Sequence, residues 1–395
     1  MSLPNPMQPT PLSSDSVTRP AAAERDGEFI YIACPWSPTG GGMYKVADYL
    51  IQAQAKTPST STAQLRALDT RGPGSALLSP WFLLVALFSL LRGRLSGRLA
   101  GVHVNMAEKL SLLRKGTVVV ACRALGIPVV IHLHVMMYRY YHKLSPPLRW
   151  LVRWMFSLAD GVVVIGPVTR RFVLEELGVP AKRVDIVING VPGPQQAPQR
   201  RVSTGPKRLL FVGSLCERKG VSGLLKALAQ SGLQPAQAEV ILAGNGDVDT
   251  YRAQAHRLGL DALVQFPGWC DQDKVIELLQ QADLLVLPSI DEVLPLVILE
   301  ALANGVPVLT TPVGETPSVL TDGQDVCFVP AGEVEALATA LRSVPFDEAL
   351  LDTLSRNGRL LYEQQFSLDR FFISVARIHQ RYFGVSAQLG QEAQR

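Results

Sequence analysis

Short, almost wholly apolar runs recur along the chain, each broken by Gly, Pro, Asn or Asp and most followed by a stretch with helical spacing of its apolar positions. In the first half they are Phe29–Cys34, Val102–Asn105, Val129–Val135, Gly161–Gly166 and Val184–Ile188. In the second half they are Arg208–Gly213, Ala238–Gly244, Leu263–Phe266, Asp283–Leu287, Val306–Thr310 and Val326–Val329. Runs that are apolar on both faces, rather than alternating, are the pattern of parallel strands covered by helices on either side. The βα alternation therefore predicts an α/β protein built from two doubly wound, Rossmann-like parallel sheets. A cleft between two such units is the expected ligand site.

Between the two series, Val191–Pro206 is rich in Pro, Gln and Gly, has no periodicity and reads as a linker. The expected organisation is a tail over residues 1–28, a first domain over 29–200, a second over 207–365, and a closing tail over 384–395. The first tail is rich in Pro, Ser and Ala and has no apolar signal-peptide core. One segment stands out: Ala76–Leu91 is nearly all apolar and is followed by Arg92, Arg94 and Arg98. It falls short of the ~20 residues that cross a bilayer, and Pro80 interrupts it. Either a buried core helix or an interfacial helix with snorkelling arginines accounts for it. A second aromatic and basic patch runs through Tyr138–Lys143 and Arg149–Trp154.

Composition adds two points. The chain has 395 residues, 47% hydrophobic and 18% charged, enough for two cores. Its net charge is only +4, yet residues 29–200 hold 20 Lys and Arg against 7 Asp and Glu. So lopsided a first half is expected to face something anionic, a membrane surface or a phosphate-bearing substrate. No nucleic-acid-binding motif accompanies the charge. The five cysteines are scattered without a CxxC, which fits a reduced, cytoplasmic protein.

Candidate chemistry gathers in the second half. Glu292 and Glu300 stand with seven residues between them, the first in a loop after Asp283–Pro288, the second inside a helix opening near Pro295. Between them Val293, Leu294, Pro295 and Leu296 form the helix mouth, whose free N–H groups favour phosphate. Upstream, Gly213 ends a strand and Arg218 and Lys219 precede another helix, an arrangement suited to a diphosphate. Taken alone, these could equally be a solvated acid pair and an exposed basic pair. In the first half, Pro38–Met43 is a Gly-rich turn but not GxGxxG, because Lys45 holds the last glycine's place; this argues against a nicotinamide or flavin cofactor. His132 and His134 alternate on one strand and are expected on opposite faces, one towards the cleft and one packed. No metal-ligand cluster, nucleophile elbow or Walker loop is present in the sequence.

Taken together, Phe211–Gly220, Ala243–Asp247, Phe266–Trp269, and Pro288–Pro307 with its Glu292-x7-Glu300 core look like the retaining family 4 glycosyltransferases of GT-B fold. The similarity extends to Thr311–Pro317 and back to Val187–Val191. The resemblance implies that Glu300 binds the ribose hydroxyls of a nucleotide-sugar and Glu292 the hydroxyls of the transferred sugar. It implies that Arg218 and Lys219 hold the diphosphate and that His134 contacts the donor sugar. Gly213, Gly244, Gly268 and Trp269 would complete the donor site, with Gly41 and Gly42 near the phosphates or the acceptor. Enzymes of this kind need no metal or other cofactor, and by analogy a last helix, Leu368–Phe383, crosses back onto the first domain.

Two departures bear on specificity. Ser214 stands where many members have Arg, and Val293-Leu294 replaces the commoner Gly-Phe. The expected activity is transfer of a hexose, mannose from GDP-mannose, onto a polyprenyl-diphosphate-linked oligosaccharide, as in bacterial exopolysaccharide mannosyltransferases that this chain resembles. The expected place is the inner face of the cell membrane, on an anionic surface, with no nucleic acid partner. Alternatives are a lipopolysaccharide-core or phospholipid glycosyltransferase using a UDP-sugar and, more remotely, a nucleotide-sugar epimerase or a non-catalytic scaffold.

Overall fold

The structure is a computed structural model that describes residues 27–36, 41–56, 63–72, 78–200 and 202–385. The readings made above for residues 1–26, Pro38–Gly40, Ala76–Leu77 and 386–395 lie outside the described residues.

The first half runs β1 (Phe29–Cys34), α1 (Gly41–Lys56), β2 (Gln64–Asp69), α2 (Ser79–Leu95), β3 (Leu99–Met106) and α3 (Leu110–Ala124). It continues through β4 (Val129–Leu133), α4 (Tyr138–Lys143), α5 (Pro146–Leu158), β5 (Gly161–Val164), α6 (Pro167–Glu175) and β6 (Val184–Ile186). The second half runs β7 (Lys207–Val212), α7 (Val221–Ser231), β8 (Ala238–Ala243), α8 (Val248–Arg257), β9 (Val264–Gly268), α9 (Gln272–Gln281) and β10 (Leu284–Leu287). After it come α10 (Leu296–Ala303), β11 (Val308–Thr310), α11 (Thr316–Val319), β12 (Cys327–Phe328), α12 (Val334–Ser343), α13 (Glu348–Leu361) and α14 (Leu368–Phe383).

Among the described residues each half forms a six-stranded sheet, ordered β2-β1-β3-β4-β5-β6 and β12-β11-β10-β7-β8-β9. Every strand pairing is parallel. In each sheet the order reverses beside the first strand, β1 or β7, and such switch points open a crevice at the carboxyl ends of the strands. The architecture is GT-B: two Rossmann-like units, as the apolar runs predict. One strand was not expected. β2 reads Gln-Leu-Arg-Ala-Leu-Asp and pairs with β1 alone, so it alternates like an edge strand and lacks the continuous apolar run of the central ones.

Each sheet buries its own core. Leu209–Phe211, Leu284–Leu287 and Ile298–Leu299 centre the second, while Val102, Val104, Ile131 and Val162 lie in one layer of the first. The other face of the first sheet is closed by the end of the chain: Phe371, Phe372, Val375, Ile378 and Phe383 of α14 pack with Ile30, Ile32, Val130 and Val163. The fit is close, because a Cβ at Gly101 would lie 2.3 Å from the Phe383 ring and one at Gly161 2.4 Å from Tyr382. Arg381 and the Tyr382 hydroxyl both donate to Asp185, fixing the far end of α14 to β6. The linker is stitched down as well, by Tyr362 Oη–H to the Val191 carbonyl (3.1 Å) and Arg359 to the Pro194 carbonyl (2.9 Å).

α2 has only Ser79, Ala86, Leu90 and Gly93 buried. Trp81 and Phe88 are each 65% exposed, and Leu84, Val85, Leu91 and Leu95 are exposed with them. It is therefore not a core helix. No helix among the described residues is long and apolar enough to cross a membrane.

Candidate functional site

The second sheet sets the first part of the site through its loops. β7 ends at Val212, Gly213 follows it, and a tight turn over Glu217–Lys219 leads into α7. Gly220 closes that turn at φ 73°, where a Cβ would lie 2.0 Å from the Pro288 carbonyl oxygen. Only glycine combines that backbone with that approach, so the Arg218-Lys219 turn is pressed onto the end of β10. Ile290 N–H donates to the Arg218 carbonyl (2.9 Å), and Arg218 Nη1 donates to the Asp291 carbonyl (2.9 Å).

The consequence is a charge cluster. Glu292 Oε1 lies 2.8 Å from Lys219 Nζ and is also held by Arg218 Nη1, so one carboxylate faces two cations. Lys219 and Glu292 are both largely buried, whereas Arg218 is half exposed. Immediately after Glu292, Val293 accepts from Glu315 N–H (2.7 Å), Leu294 is buried, and Pro295 caps α10 in an extended conformation. The mouth of α10 thus stands beside the Glu292–Arg218–Lys219 cluster. Along the neighbouring strand ends, Gly213 N–H donates to Ala243 O (3.0 Å) and Gly244 N–H to Gly268 O (2.8 Å), with Trp269 exposed next in line.

Glu300 lies one turn and more inside α10 and is only 5% exposed. Its partner comes from the other sheet: Lys45 Nζ donates to Glu300 Oε1 at 3.1 Å. Lys45 entered the sequence reading only as the residue that spoils a GxGxxG pattern. A charge balancing a buried acid 255 residues away leaves no local sequence signal. The start of α1 is close to the start of α10, since a Cβ at Gly42 would stand 3.3 Å from Leu296 Cδ1. Gly42 therefore meets Leu296 at the α10 mouth across the cleft, whereas a Cβ at Gly41 would have nothing within 4 Å. Tyr49 and Gln272 exchange a further bridge between α1 and α9.

Two more buried charges escaped sequence reasoning, one bridging the cleft and one inside the first half. Glu315 is fully buried and accepts from Val168 N–H (3.0 Å), Thr169 N–H (2.6 Å) and Thr169 Oγ1–H (2.6 Å). A carboxylate at the N-terminus of α6 satisfies the orphan amides of that helix. Lys115, on α3, is fully buried with its ammonium against the Asn105 carbonyl and Met43 Sδ. Burial holds it down to about 8.

His132 and His134 do not point to opposite faces. Positions two apart on a strand share a face, and their rings lie 4.1 Å apart. Four histidines in fact form a file: His103 Nδ1 is 2.9 Å from His379 Nε2, His103 Nε2 is 3.1 Å from His132 Nδ1, and the His132 ring lies against that of His134 at a tilt of 34°. His134 is half-buried at the cleft end, with Nε2 2.7 Å from Asn105 Oδ1. Burial pushes all four down, His103 to about 4 and His134 to about 3, so they are neutral at physiological pH. Among the described residues His134 makes no hydrogen bond or ion pair with Glu292, Arg218 or Lys219.

Comparisons with known proteins bear on the family and the fold. Residues 194–361 match the family model for glycosyl transferases group 1, and residues 17–190 match that for the glycosyl transferase 4-like domain. The chain is 28% identical over 240 residues to the glycogen synthase of Mycobacterium tuberculosis, covering 60% of this chain and 58% of the relative. It is 33% identical over 189 residues to the phosphatidyl-myo-inositol mannosyltransferase of Mycobacterium leprae, covering 46% and 48%. The chain spans about half the length of the curated relatives it matches. In structure it is similar to Anabaena Alr3699/HepE, solved in complex with UDP and glucose, with a TM-score of 0.68 at 18% identity over 89% of this chain and 99% of that one. The chain thus carries a glycosyl transferases group 1 domain and a glycosyl transferase 4-like domain on a GT-B fold.

Proposed function

We propose that the chain is a retaining glycosyltransferase that moves a hexose from a nucleoside diphosphate sugar to an acceptor lying against its first domain. In this reading residues 29–200, completed by Leu368–Phe383, form the acceptor side, and residues 207–365 the donor side. The observation that carries it is the cluster of Glu292, Arg218 and Lys219 at the mouth of α10, with Glu300 buried farther along the same helix. An anionic diphosphate fits where two cations and the free N–H groups of a helix start converge. Glu300 then accepts from the ribose hydroxyls once Lys45 yields its place, and Glu292 accepts from hydroxyls of the transferred sugar. Gly213, Gly244, Gly268 and Trp269 border the nucleoside, and Gly41, Gly42 and His134 approach from the opposite side.

In the reaction the bond between the anomeric carbon and the diphosphate oxygen breaks as the acceptor oxygen bonds to that carbon from the same face. The acceptor proton passes to the departing phosphate oxygen, so no separate base is needed. Arg218, Lys219 and the α10 mouth stabilise the charge that builds on the leaving group. Glu292 orients rather than attacks, and isolation of a glycosyl ester on Glu292 would overturn that role.

For the donor we favour GDP-mannose, in line with the mannosyltransferase relative. The second reading is a UDP-sugar, favoured by the structural neighbour solved with UDP and glucose. For the acceptor we favour a saccharide carried on a polyprenyl diphosphate at the inner, anionic face of a membrane. Its support is the exposed apolar face of α2, the exposed Leu110 and Leu113 of α3, and Trp150 and Trp154 of α5, set among the arginines of a first half that is strongly basic. Incubation with a panel of sugar nucleotides, with and without lipid extract, tests this. A transferase consumes donor faster with extract. Conversion of donor to an epimer without extract, or no turnover in either condition, would refute the reading.

A further inference from the structure

Lys115 of α3 is fully buried and, among the described residues, makes no ion pair. Its ammonium donates to the Asn105 carbonyl and lies 3.5 Å from Met43 Sδ, so one of its three N–H groups has no partner among the described residues. Asn105 Nδ2 is buried without a partner as well. The spare hydrogen-bonding capacity is donor in both cases, beside a full positive charge. A buried ammonium without a counter-ion lowers stability, and a methionine of similar length would fill the same place without that penalty.

The place of this charge in the fold gives it a use. Cys34 ends β1 and Asn105 lies one residue before the end of β3, the strands at the switch point of the first sheet. Cys34 Sγ–H donates to the Met43 carbonyl (3.8 Å), so the first turn of α1 rests on the end of β1 and on Lys115 together. That turn also faces the other half: Gly42 meets Leu296 at the α10 mouth, and Lys45 meets Glu300. On its other side Asn105 Oδ1 accepts from His134 Nε2–H. One ammonium therefore underlies both the start of α1 and the imidazole that the first half brings to the cleft.

We propose that Lys115 is a positioning residue for the donor: it seats the start of α1 and the Asn105–His134 pair, and its uncompensated charge draws the diphosphate to the α10 mouth from beneath α1. This rests on the glycosyl-transfer reading and adds to Arg218 and Lys219 a buried cation held by the first half. Lys115 acts without touching the phosphates, because packed side chains screen a charge less than water does. Burial holds its ammonium down to about 8. The groups around it titrate elsewhere. Burial pushes Cys34 of β1 up to about 11, and burial, then the charges of His103 and Lys115, hold His134 down to about 3. Arg114, on the same helix as Lys115, stays charged. Asp69 of β2, whose charge reaches Cys34 and Arg114, accepts from the N–H groups of Trp36, Arg71 and Gly72. A diphosphate favours protonated Lys115, so its affinity is full well below about pH 8 and declines as the pH rises through that value.

The test is calorimetric titration of the full chain with GDP-mannose and UDP-glucose at about pH 7 and about pH 8.5, in wild type and Lys115→Met, with guanosine and uridine as probes that lack phosphate. Whichever sugar nucleotide the wild type binds should bind about threefold more weakly at the higher pH. Lys115→Met should bind it at least about tenfold more weakly at about pH 7 and show no change with pH, while nucleoside binding is the same in both proteins. Urea unfolding of Lys115→Met should require as much denaturant as wild type or more, the reverse of what a packing role predicts. Wild-type sugar-nucleotide affinity in Lys115→Met, equal wild-type affinity at the two pH values, or an equal loss of nucleoside and sugar nucleotide would overturn the proposal. The wild-type pair of titrations decides the matter even where Lys115→Met does not fold. If the wild type binds a sugar nucleotide in those cases, the role of Lys115 alone falls; if it binds none of the four probes, the glycosyl-transfer reading falls with it.

Discussion

The file His379–His103–His132–His134 makes stability depend on pH in a window where few other groups titrate. Each ring is held neutral in the fold, with its pKa depressed by burial below the ~6.5 of an unfolded histidine. A depressed folded pKa means that the unfolded chain binds more protons below ~6.5, so the stabilisation is complete above that pH and is lost as the pH falls towards the folded values of about 4 and about 3. Between about pH 7 and about pH 5.5 each such histidine costs about 1.2 kcal/mol, so four cost about 5 kcal/mol, a large part of a typical domain's stability. Lys115, at about 8 in the fold, is protonated in both states across this range and contributes no slope there. The assay is urea unfolding at those two pH values, with tryptophan fluorescence as the probe. His379→Phe removes one titrating ring and should reduce the pH-dependent loss by about a quarter, whatever it does to stability at pH 7. A wild-type loss below about 1 kcal/mol, or an unchanged loss in His379→Phe, would refute the reasoning.

Three further outcomes follow from single contacts. Gly220→Ala places a Cβ against the Pro288 carbonyl at φ 73°; it should cost about 2 kcal/mol or more in urea unfolding and weaken nucleotide binding by displacing the Arg218-Lys219 turn. Glu315→Ala strips three hydrogen bonds from the start of α6; it should cost about 3 kcal/mol in the same assay and increase protease sensitivity across the cleft. Trp81→Glu with Phe88→Glu changes two rings that are already exposed; it should leave the melting temperature unchanged and lower co-sedimentation with anionic vesicles at least about tenfold.

The sheets were legible because parallel strands buried on both faces must be apolar throughout, and that constraint writes itself locally. β2 was not, since an edge strand with one pairing partner keeps alternate polar residues such as Gln64 and Arg66. The Arg218-Lys219 turn and the two glutamates were visible as residue types at a spacing. Their partners were not, because Lys45 with Glu300, and Thr169 with Glu315, meet only when two separate sheets are brought together. The same holds for the histidine file, which joins β3, β4 and α14. The error over His132 and His134 had a simpler cause: strand periodicity is two, so residues two apart lie side by side. Whether α2 is core or surface was undecided by its composition, since a helix apolar all round has no polar face to orient it.

The central claim is that Glu292 and Glu300 clamp the two ends of a sugar nucleotide across the mouth of α10. Calorimetric titration of wild type, Glu300→Ala and Glu292→Gln with GDP-mannose, UDP-glucose, GDP and UDP tests it most directly. The account predicts that Glu300→Ala loses at least about tenfold in affinity for both the sugar nucleotide and the free nucleotide, the weight of a charged hydrogen-bonding partner. It predicts that Glu292→Gln keeps the free nucleotide and loses the added affinity given by the sugar. Wild-type affinity of Glu300→Ala for the nucleotide that the native chain binds would contradict it.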